Sequence, residues 1–296
     1  MKKEQLHLTS LDKVYWPDEG ITKGDLIEYY KTMAPYILPY LKNRPLSLKR
    51  NPNGILDEGF YQKDAGEFAP DWIKTESVYA ESSDKMVHYL VCNNVKSLLY
   101  IANLGCIEMN PWNSVISKPG YPDYLVMDID PSEKNTFDEV VDVALAVKTI
   151  LDKANAEGYC KTSGASGMHV YIPCNKKYSY DEVRDFAKAI ATRVHEQLPR
   201  ITTIERSLAK RKKNEIYIDY LQNSIGQTLA SAYSVRPRPL ATVSAPLEWK
   251  EVKHGLSPAQ FTLKNIHERV KQKGDLFKAV LGKGLDMKKA LKLLEV

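Results

Sequence analysis

Apolar residues recur along this chain with two different periods, and the alternation between them outlines its elements. A helical period runs through Leu26, Ile27, Tyr30, Met33, Ala34, Ile37, Leu38 and Leu41. Thr22 and Asp25 form a capping box in front of it, while Pro35 and Pro39 predict a kink or an early stop. Residues 95–104 read as a buried helix stopped by Gly105. Thr136 with Glu139 opens a third helix whose apolar face is Val140, Val141, Val143, Ala144, Val147, Ile150 and Leu151, and Ser179 with Glu182 opens a fourth that runs to about Leu198. Strand-length runs lie between these helices. Residues 44–63 suggest a hairpin, Arg44–Arg50 and Ile55–Lys63 about a turn at Asn51–Gly54. Cys106–Trp112, Tyr124–Ser132, the hairpin Lys161–Pro173 and Glu215–Asp219 follow, and a lysine-rich helical stretch begins at Ser257-Pro258. No internal repeat or low-complexity linker interrupts the series.

The stretch Tyr-Leu-Val-Met-Asp-Ile-Asp-Pro-Ser, 124–132, carries the clearest chemistry. Side chains alternate across a strand, so Leu125, Met127 and Ile129 can bury on one side while Asp128 and Asp130 project together from the other. Two carboxylates so placed repel unless a cation or a proton sits between them, which points to a divalent metal; an exposed strand end with solvated acids is the plain alternative. Asp219 interrupts an apolar strand and needs a partner, which a shared metal would supply. Between these acids lies a small, hydroxyl-rich turn, Ser163–Gly167, suited to offering backbone N–H groups to phosphate oxygens. His169 follows it, facing away from Met168, Val170 and Ile172, although a lone histidine is more often structural.

Cations gather in four places. Lys13 and Lys23 flank a Pro/Gly turn, with Lys23 in the first helical turn, where a helix end favours an anion, so the pair could grip a phosphate or simply be solvated. Lys49, Arg50 and Lys63 are interleaved with Phe60 and Tyr61, the pattern of a single-strand nucleic-acid platform. A basic loop, Lys210–Lys213, leads into the Asp219 strand, and Arg236 and Arg238 can share a face.

With 296 residues, 43% of them hydrophobic and 27% charged, the chain is long enough for one large domain or two intimate lobes. A net charge of +5 permits a polyanionic partner without demanding one. Cys92, Cys106, Cys160 and Cys174 form no Cys-x-x-Cys pair and each sits in an apolar segment, which favours reduced core thiols over zinc ligands. No run approaches a membrane span, and the N-terminal Met-Lys-Lys-Glu-Gln lacks the apolar core of a signal peptide, so a cytoplasmic location is the default expectation.

Three acids on two strands, a small-residue hairpin with a histidine and late arginines are the parts of metal-assisted nucleotidyl transfer. Taken together, Leu-Asp-Lys-Val (11–14), Thr-Lys-Gly-Asp (22–25), Arg-Pro-Leu-Ser-Leu-Lys-Arg (44–50), Asp-Ile-Asp-Pro (128–131), Lys-Thr-Ser-Gly through His169, Ile-Asp-Tyr-Leu-Gln-Asn (218–223) and Ala-Tyr-Ser-Val-Arg (232–236) resemble the polymerase module of bacterial DNA ligase D. That module belongs to the archaeo-eukaryotic primase superfamily and serves nonhomologous end-joining repair. The resemblance extends from about Leu8 to about Val252.

It implies an α+β fold, a single primase-polymerase domain with a central, largely antiparallel, RRM-like sheet flanked by helices. An N-terminal lobe would span about 1–122, an acid-bearing core about 123–255 and a C-terminal helical stretch about 256–296. It implies that Asp128, Asp130 and Asp219 bind Mn2+ (or Mg2+) and carry catalysis, and that Lys49, Ser163, Ser166, His169 and Arg236 surround the incoming nucleotide. Lys13 and Lys23 would hold a downstream 5'-phosphate, with Phe60 and Tyr61 on the template beside it. The implied activity is addition of nucleotides, ribonucleotides by preference, to the 3' end of DNA at overhangs or gaps. Ku and the ligase and phosphoesterase modules are the implied partners, in a nucleoid-associated setting. Many relatives carry lysine where this chain has Ser166, so the triphosphate grip would lean more on Arg236, Arg238 or Lys161. No Lys-x-Asp-Gly adenylation motif is present. Two alternatives remain at this level: a haloacid-dehalogenase-type phosphatase, which also ends a strand in Asp-x-Asp, and a non-enzymatic protein that bridges DNA ends.

Overall fold

The structure, a computed structural model, describes residues 6–66, 69–80 and 84–295, so the N-terminal Met1–Gln5 lies outside the described residues. The chain forms two compact units.

The first unit comprises Met1–Ser117, Thr228–Ser244 and Phe261–Gln272. It begins with a small antiparallel pair, β1 (Val14–Trp16) and β2 (Ile21–Thr22), followed by α1 (Lys23–Leu41). The Thr22/Asp25 capping box forms as the sequence requires. The early stop expected at Pro35 or Pro39 does not occur: α1 runs through both. Lys31, Pro35 and Pro39 share the exposed stripe of the helix, so the carbonyls that the prolines cannot bond face water, while Met33, Ile37 and Leu41 stay buried on the other side. β3 (Pro45–Arg50) and β4 (Phe60–Gln62) make the expected hairpin, but its second strand is shorter than the sequence suggested. β5 (Lys74–Ala80) and β6 (Lys85–Val91) form a second hairpin, then come α2 (Val95–Asn103) and β7 (Cys106–Pro111). The sheet order is β4-β3-β6-β5, with β7 also paired to β3.

The second unit comprises Lys118–Gln227, Ala245–Gln260 and Lys273–Val296. Its elements are β8 (Tyr124–Asp130), α3 (Phe137–Lys153), β9 (Tyr159–Thr162), β10 (Met168–Pro173), α4 (Tyr180–Gln197), β11 (Thr202–Thr203), β12 (Ile216–Asp219) and β13 (Pro246–Leu247). The capping boxes at Thr136 and Ser179 are both formed. In the six-stranded sheet β11-β12-β8-β10-β9-β13 every pairing except β11–β12 is antiparallel, as the α+β expectation required. The lysine-rich end is a series of short helices, including α5 (Ile266–Lys273, mostly in the first unit) and α6 (Met287–Leu293).

β8 and β10 are apolar on both faces for most of their length because both faces are covered. Leu151 of α3 reaches the face of Val170 and Ile172, so closely that a Cβ at Gly158 would clash with it. Phe277 packs edge-on against Tyr171 on the other face, and Tyr171 against Tyr124. Asn223 secures the strand behind the acids: its Oδ1 accepts from the Val126 N–H, and its Nδ2 donates to the Val126 and Tyr220 carbonyls, at 2.8, 2.8 and 2.9 Å. All four cysteines are free and buried; burial pushes the thiols of Cys92, Cys160 and Cys174 up to about 12, and Cys106 higher still. Among the described residues no helix is long and apolar enough to cross a membrane.

Candidate active site

The strand register of the second unit draws four ionisable residues into one row. Asp219 on β12 faces Asp128 on β8, Asp128 faces His169 on β10, and His169 faces Lys161 on β9. Residues directly opposite on antiparallel strands share a face, so the four side chains leave the same side of the sheet. Asp130 stands one alternation further along β8, opposite Tyr217. The pairing of Asp128 with Asp130 read from the sequence is therefore present, and Asp219 joins them from the neighbouring strand.

Each member of the row already has protein partners. His169 Nε2 lies 3.4 Å from Asp128 Oδ1, and its Nδ1 is 2.7 Å from Lys161 Nζ. Asp219 Oδ1 accepts from the Tyr217 hydroxyl at 3.1 Å and the Leu221 N–H at 2.8 Å, and Gln222 donates to Oδ2. Held by these contacts, the described side chains form no group of three or more His, Cys, Asp or Glu converging on one point. The Asp130 carboxyl is nevertheless raised above the ordinary range, chiefly by burial; the Asp219 charge adds to this and the Arg211 guanidinium opposes it.

The turn between β9 and β10 is tighter than the sequence suggested. Ser163 Oγ accepts the N–H groups of Ala165 and Gly167, and Ser163 N–H bonds to the Gly167 carbonyl, so three of the turn's backbone donors are spent inside it. With both hydroxyl lone pairs engaged, Ser163 can act toward a ligand only as a donor. Gly167 is required here because a Cβ would stand 2.2 Å from the Ile129 carbonyl oxygen. Ser166 is exposed at the tip. Lys161, by contrast, is fully buried and turned to His169, which removes it from the residues able to grip a phosphate directly.

Beside Asp130 opens a cavity of about 460 Å³ lined by Ser132, Lys134, Arg211, Lys213 and Tyr217 among others. Arg211 stacks over the Tyr217 ring at 3.5 Å and is held by the Glu205 and Arg206 carbonyls. The basic loop is thus partly organised against the acids' own strand.

In the first unit the proposed ligand residues fall into two groups. Lys13 and Lys23 are brought together: Lys23 N–H bonds to the Lys13 carbonyl at 2.8 Å. Lys23 Nζ donates to the Thr9 carbonyl at 2.8 Å, while exposed Lys13 donates to Asn53. Burial first, and the Lys13 charge second, lower the Lys23 pKa below its usual 10.5. The other group is a row across three strands, Tyr61 opposite Lys49 and Lys49 opposite Glu108. Lys49 Nζ lies 4.9 Å from the Tyr61 ring centroid, and Arg236 Nε donates to buried Glu108 at 2.7 Å. Phe60 lies on the other face of β4, opposite Arg50, which sits 5.3 Å from its ring. The two adjacent aromatics that the resemblance placed together on the template are therefore divided, one beside Lys49 and one beside Arg50. Glu108 is a site neighbour that reading by residue type missed, and the pairings of Lys161 with His169 and of Arg211 with Tyr217 were not read from the sequence although both cations were named. Lys161 was within reach, because a five-residue turn at 163–167 pairs Thr162 with Met168 and hence Lys161 with His169.

The family described as "LigD, primase-polymerase domain" matches residues 22–277. The chain belongs to that family. A Bacillus subtilis protein, "Bifunctional non-homologous end joining protein LigD", is 36% identical over 272 residues, covering 91% of this chain and 43% of the relative. A Mycobacterium tuberculosis protein, "Multifunctional non-homologous end joining DNA repair protein LigD", is 30% identical over 284 residues, covering 93% of this chain and 37% of the relative. The chain thus spans less than half the length of either. Among solved structures, "Polymerase Domain from Mycobacterium tuberculosis Ligase D in complex with DNA" superposes with a TM-score of 0.87 at 28% identity, covering 96% of this chain and all of that one. Membership of a primase-polymerase family leaves the phosphatase alternative without support.

Proposed function

We propose that this chain is a DNA-directed nucleotidyltransferase of nonhomologous end joining. It adds nucleotides, ribonucleotides by preference, to the 3' end of DNA at overhangs or gaps and recognises a downstream 5'-phosphate. The observation that carries the reading is the row Asp219–Asp128–His169 with Asp130 beside it, three carboxylates on paired strands next to a hydroxyl-bearing turn.

The donor set fits a divalent ion of the Mg2+ or Mn2+ class. It consists of carboxylate oxygens, which suit hard cations, and the Asp130 carboxyl is raised above its ordinary range, first by burial and in smaller part by the Asp219 charge, a repulsion that a cation would relieve. Asp128, Asp130 and Asp219 would hold it. When bound, such ions activate a 3'-hydroxyl and stabilise the leaving pyrophosphate. The chain's own groups supply the rest. Ser163 donates to a phosphate oxygen, and His169 offers a ring N–H on the acid-bearing face; Lys49 and Arg236, the latter fixed by Glu108, belong to the first unit and are nucleotide ligands only as the family resemblance implies. Arg211, Lys134 and Lys213 line the cavity beside Asp130 and attract the anionic primer strand. Ribonucleotide preference would follow from buried partners of a 2'-hydroxyl left unpaired by a deoxy sugar.

The relatives are named bifunctional or multifunctional and are more than twice as long, which supports ligation and end processing falling to other modules or polypeptides. Ku is the end-bound partner that the family resemblance implies. With DNA ends as its proposed substrate, the chain would work at the nucleoid. Incubation with a gapped, 5'-phosphorylated primer-template, Mn2+ and labelled nucleotides tests the reading. Extension by the intact chain, absent in Asp128→Ala with DNA binding retained, is the expected result. End bridging without extension would favour the non-enzymatic alternative.

A further inference from the structure

Lys161 has no exposed surface, yet it sits on the most polar row of the sheet. Its strand is paired on both sides, opposite His169 and opposite Pro246, so the side chain cannot escape to water along the sheet. An ammonium in such a place is costly unless it is hydrogen-bonded. Its nitrogen lies 2.7 Å from His169 Nδ1 and 5.5 Å from the Tyr171 ring centroid.

We propose that Lys161 is a positioning residue that holds His169 as its Nε2–H tautomer, with the N–H presented on the face that carries Asp128. An ammonium has donors only, so Nδ1 must accept and the ring proton must reside on Nε2. At the other end of the ring, Nε2 faces a carboxylate oxygen at 3.4 Å, which also requires a donor there. The two contacts agree. A phosphate oxygen, like Asp128, is an acceptor, so this tautomer can donate to a triphosphate whereas the other would oppose it with a lone pair. A histidine oriented from behind in this way resembles a ligand fixed by its outer partner. The consequence for nucleotide binding rests on the proposed role of His169; the tautomer itself does not.

The test begins with the chain free of nucleotide and metal. Nitrogen NMR of protein labelled with 15N-histidine, with the His169 signals assigned by His169→Gln, reads which ring nitrogen carries the proton. Nε2–H is expected in the wild type, and Nδ1–H would overturn the proposal without any variant. In Lys161→Met the Nδ1–H form should become populated, with Lys161→Arg restoring the wild-type pattern; a Lys161→Met chain that melts like the wild type and keeps an unchanged tautomer would also overturn it. Kinetically, Lys161→Met should raise the KM for a nucleotide about tenfold with a smaller effect on kcat, the size of one lost charge-assisted hydrogen bond. It should add nothing in a His169→Gln background, where additive losses would show that Lys161 acts by another route. If His169→Gln leaves KM unchanged while the tautomer follows Lys161, the nucleotide role of His169 fails and the positioning stands.

Discussion

Replacing Asn223 tests how the acid-bearing strand is held. Its side chain makes three hydrogen bonds, two of them to the N–H and C=O of Val126, two residues before Asp128. Both Val126 and Asn223 are fully buried. Asn223→Ala leaves the Val126 donor and acceptor without their partner, at about 1–3 kcal/mol each. A water admitted by the smaller side chain recovers part of this, so the expected loss is about 2–4 kcal/mol. Asn223→Asp is informative because it keeps the shape: the donor that faced two carbonyls becomes an acceptor, and the loss should be at least as large. Urea unfolding followed by circular dichroism reads the effect. With a slope of up to about 3 kcal/mol per molar for a chain of this size, the midpoint should fall by about 1 M. Nucleotide addition should fall in parallel, since the same strand carries Asp128. If Asn223→Asp unfolds within about 0.5 kcal/mol of the wild type, the amide does not hold β8 and the argument fails.

Asp128→Ala and Asp130→Ala should each abolish nucleotide addition and leave DNA affinity nearly unchanged, because a proposed metal ligand is lost and no phosphate contact; wild-type extension by either would remove it from catalysis. Lys23→Met should weaken binding of a gapped DNA by about tenfold to a hundredfold when the downstream 5' end is phosphorylated, and far less when it is a hydroxyl. The sign of its pH dependence follows from the depressed Lys23 pKa: as pH rises toward 10.5 the folded chain releases this proton before the unfolded chain does, so the cost of burying the ammonium is relieved and stability increases, while the 5'-phosphate preference declines. Lys13→Met, by removing the second cause of the shift, should move that decline to higher pH. Ser166→Lys should lower the apparent KM for ribo- and deoxynucleotides by a similar factor of about ten or more, with the ribose preference unchanged; a change in preference alone would place the turn beside the sugar. Gly167→Ala should destabilise the second unit strongly, since its Cβ would meet the Ile129 carbonyl oxygen, and a wild-type melting profile would contradict the close packing of the turn on β8.

The sequence by itself determined what depends on near neighbours along the chain. The capping boxes at Thr22, Thr136 and Ser179, the 163–167 turn and the alternation that sets Asp128 and Asp130 apart from Leu125, Met127 and Ile129 are local, because each is governed by a spacing of two to five residues. The motifs were dense enough to indicate the family. Where a local rule misled, at Pro35 and Pro39, α1 runs on because both fall on its solvated stripe; the contacts of Arg211 with the Tyr217 ring and two carbonyls lay beyond local rules altogether. Only the tertiary structure could decide the register between strands distant in sequence. That register puts Asp219 opposite Asp128, and the return of residues 228–244 to the first unit lets Arg236 meet Glu108; Phe60 and Tyr61 are divided by strand alternation already, and only their partners, Arg50 and Lys49, are chosen by the tertiary pairing. These pairings are fixed by which faces must be buried together, a property of the assembled sheets and not of any single segment.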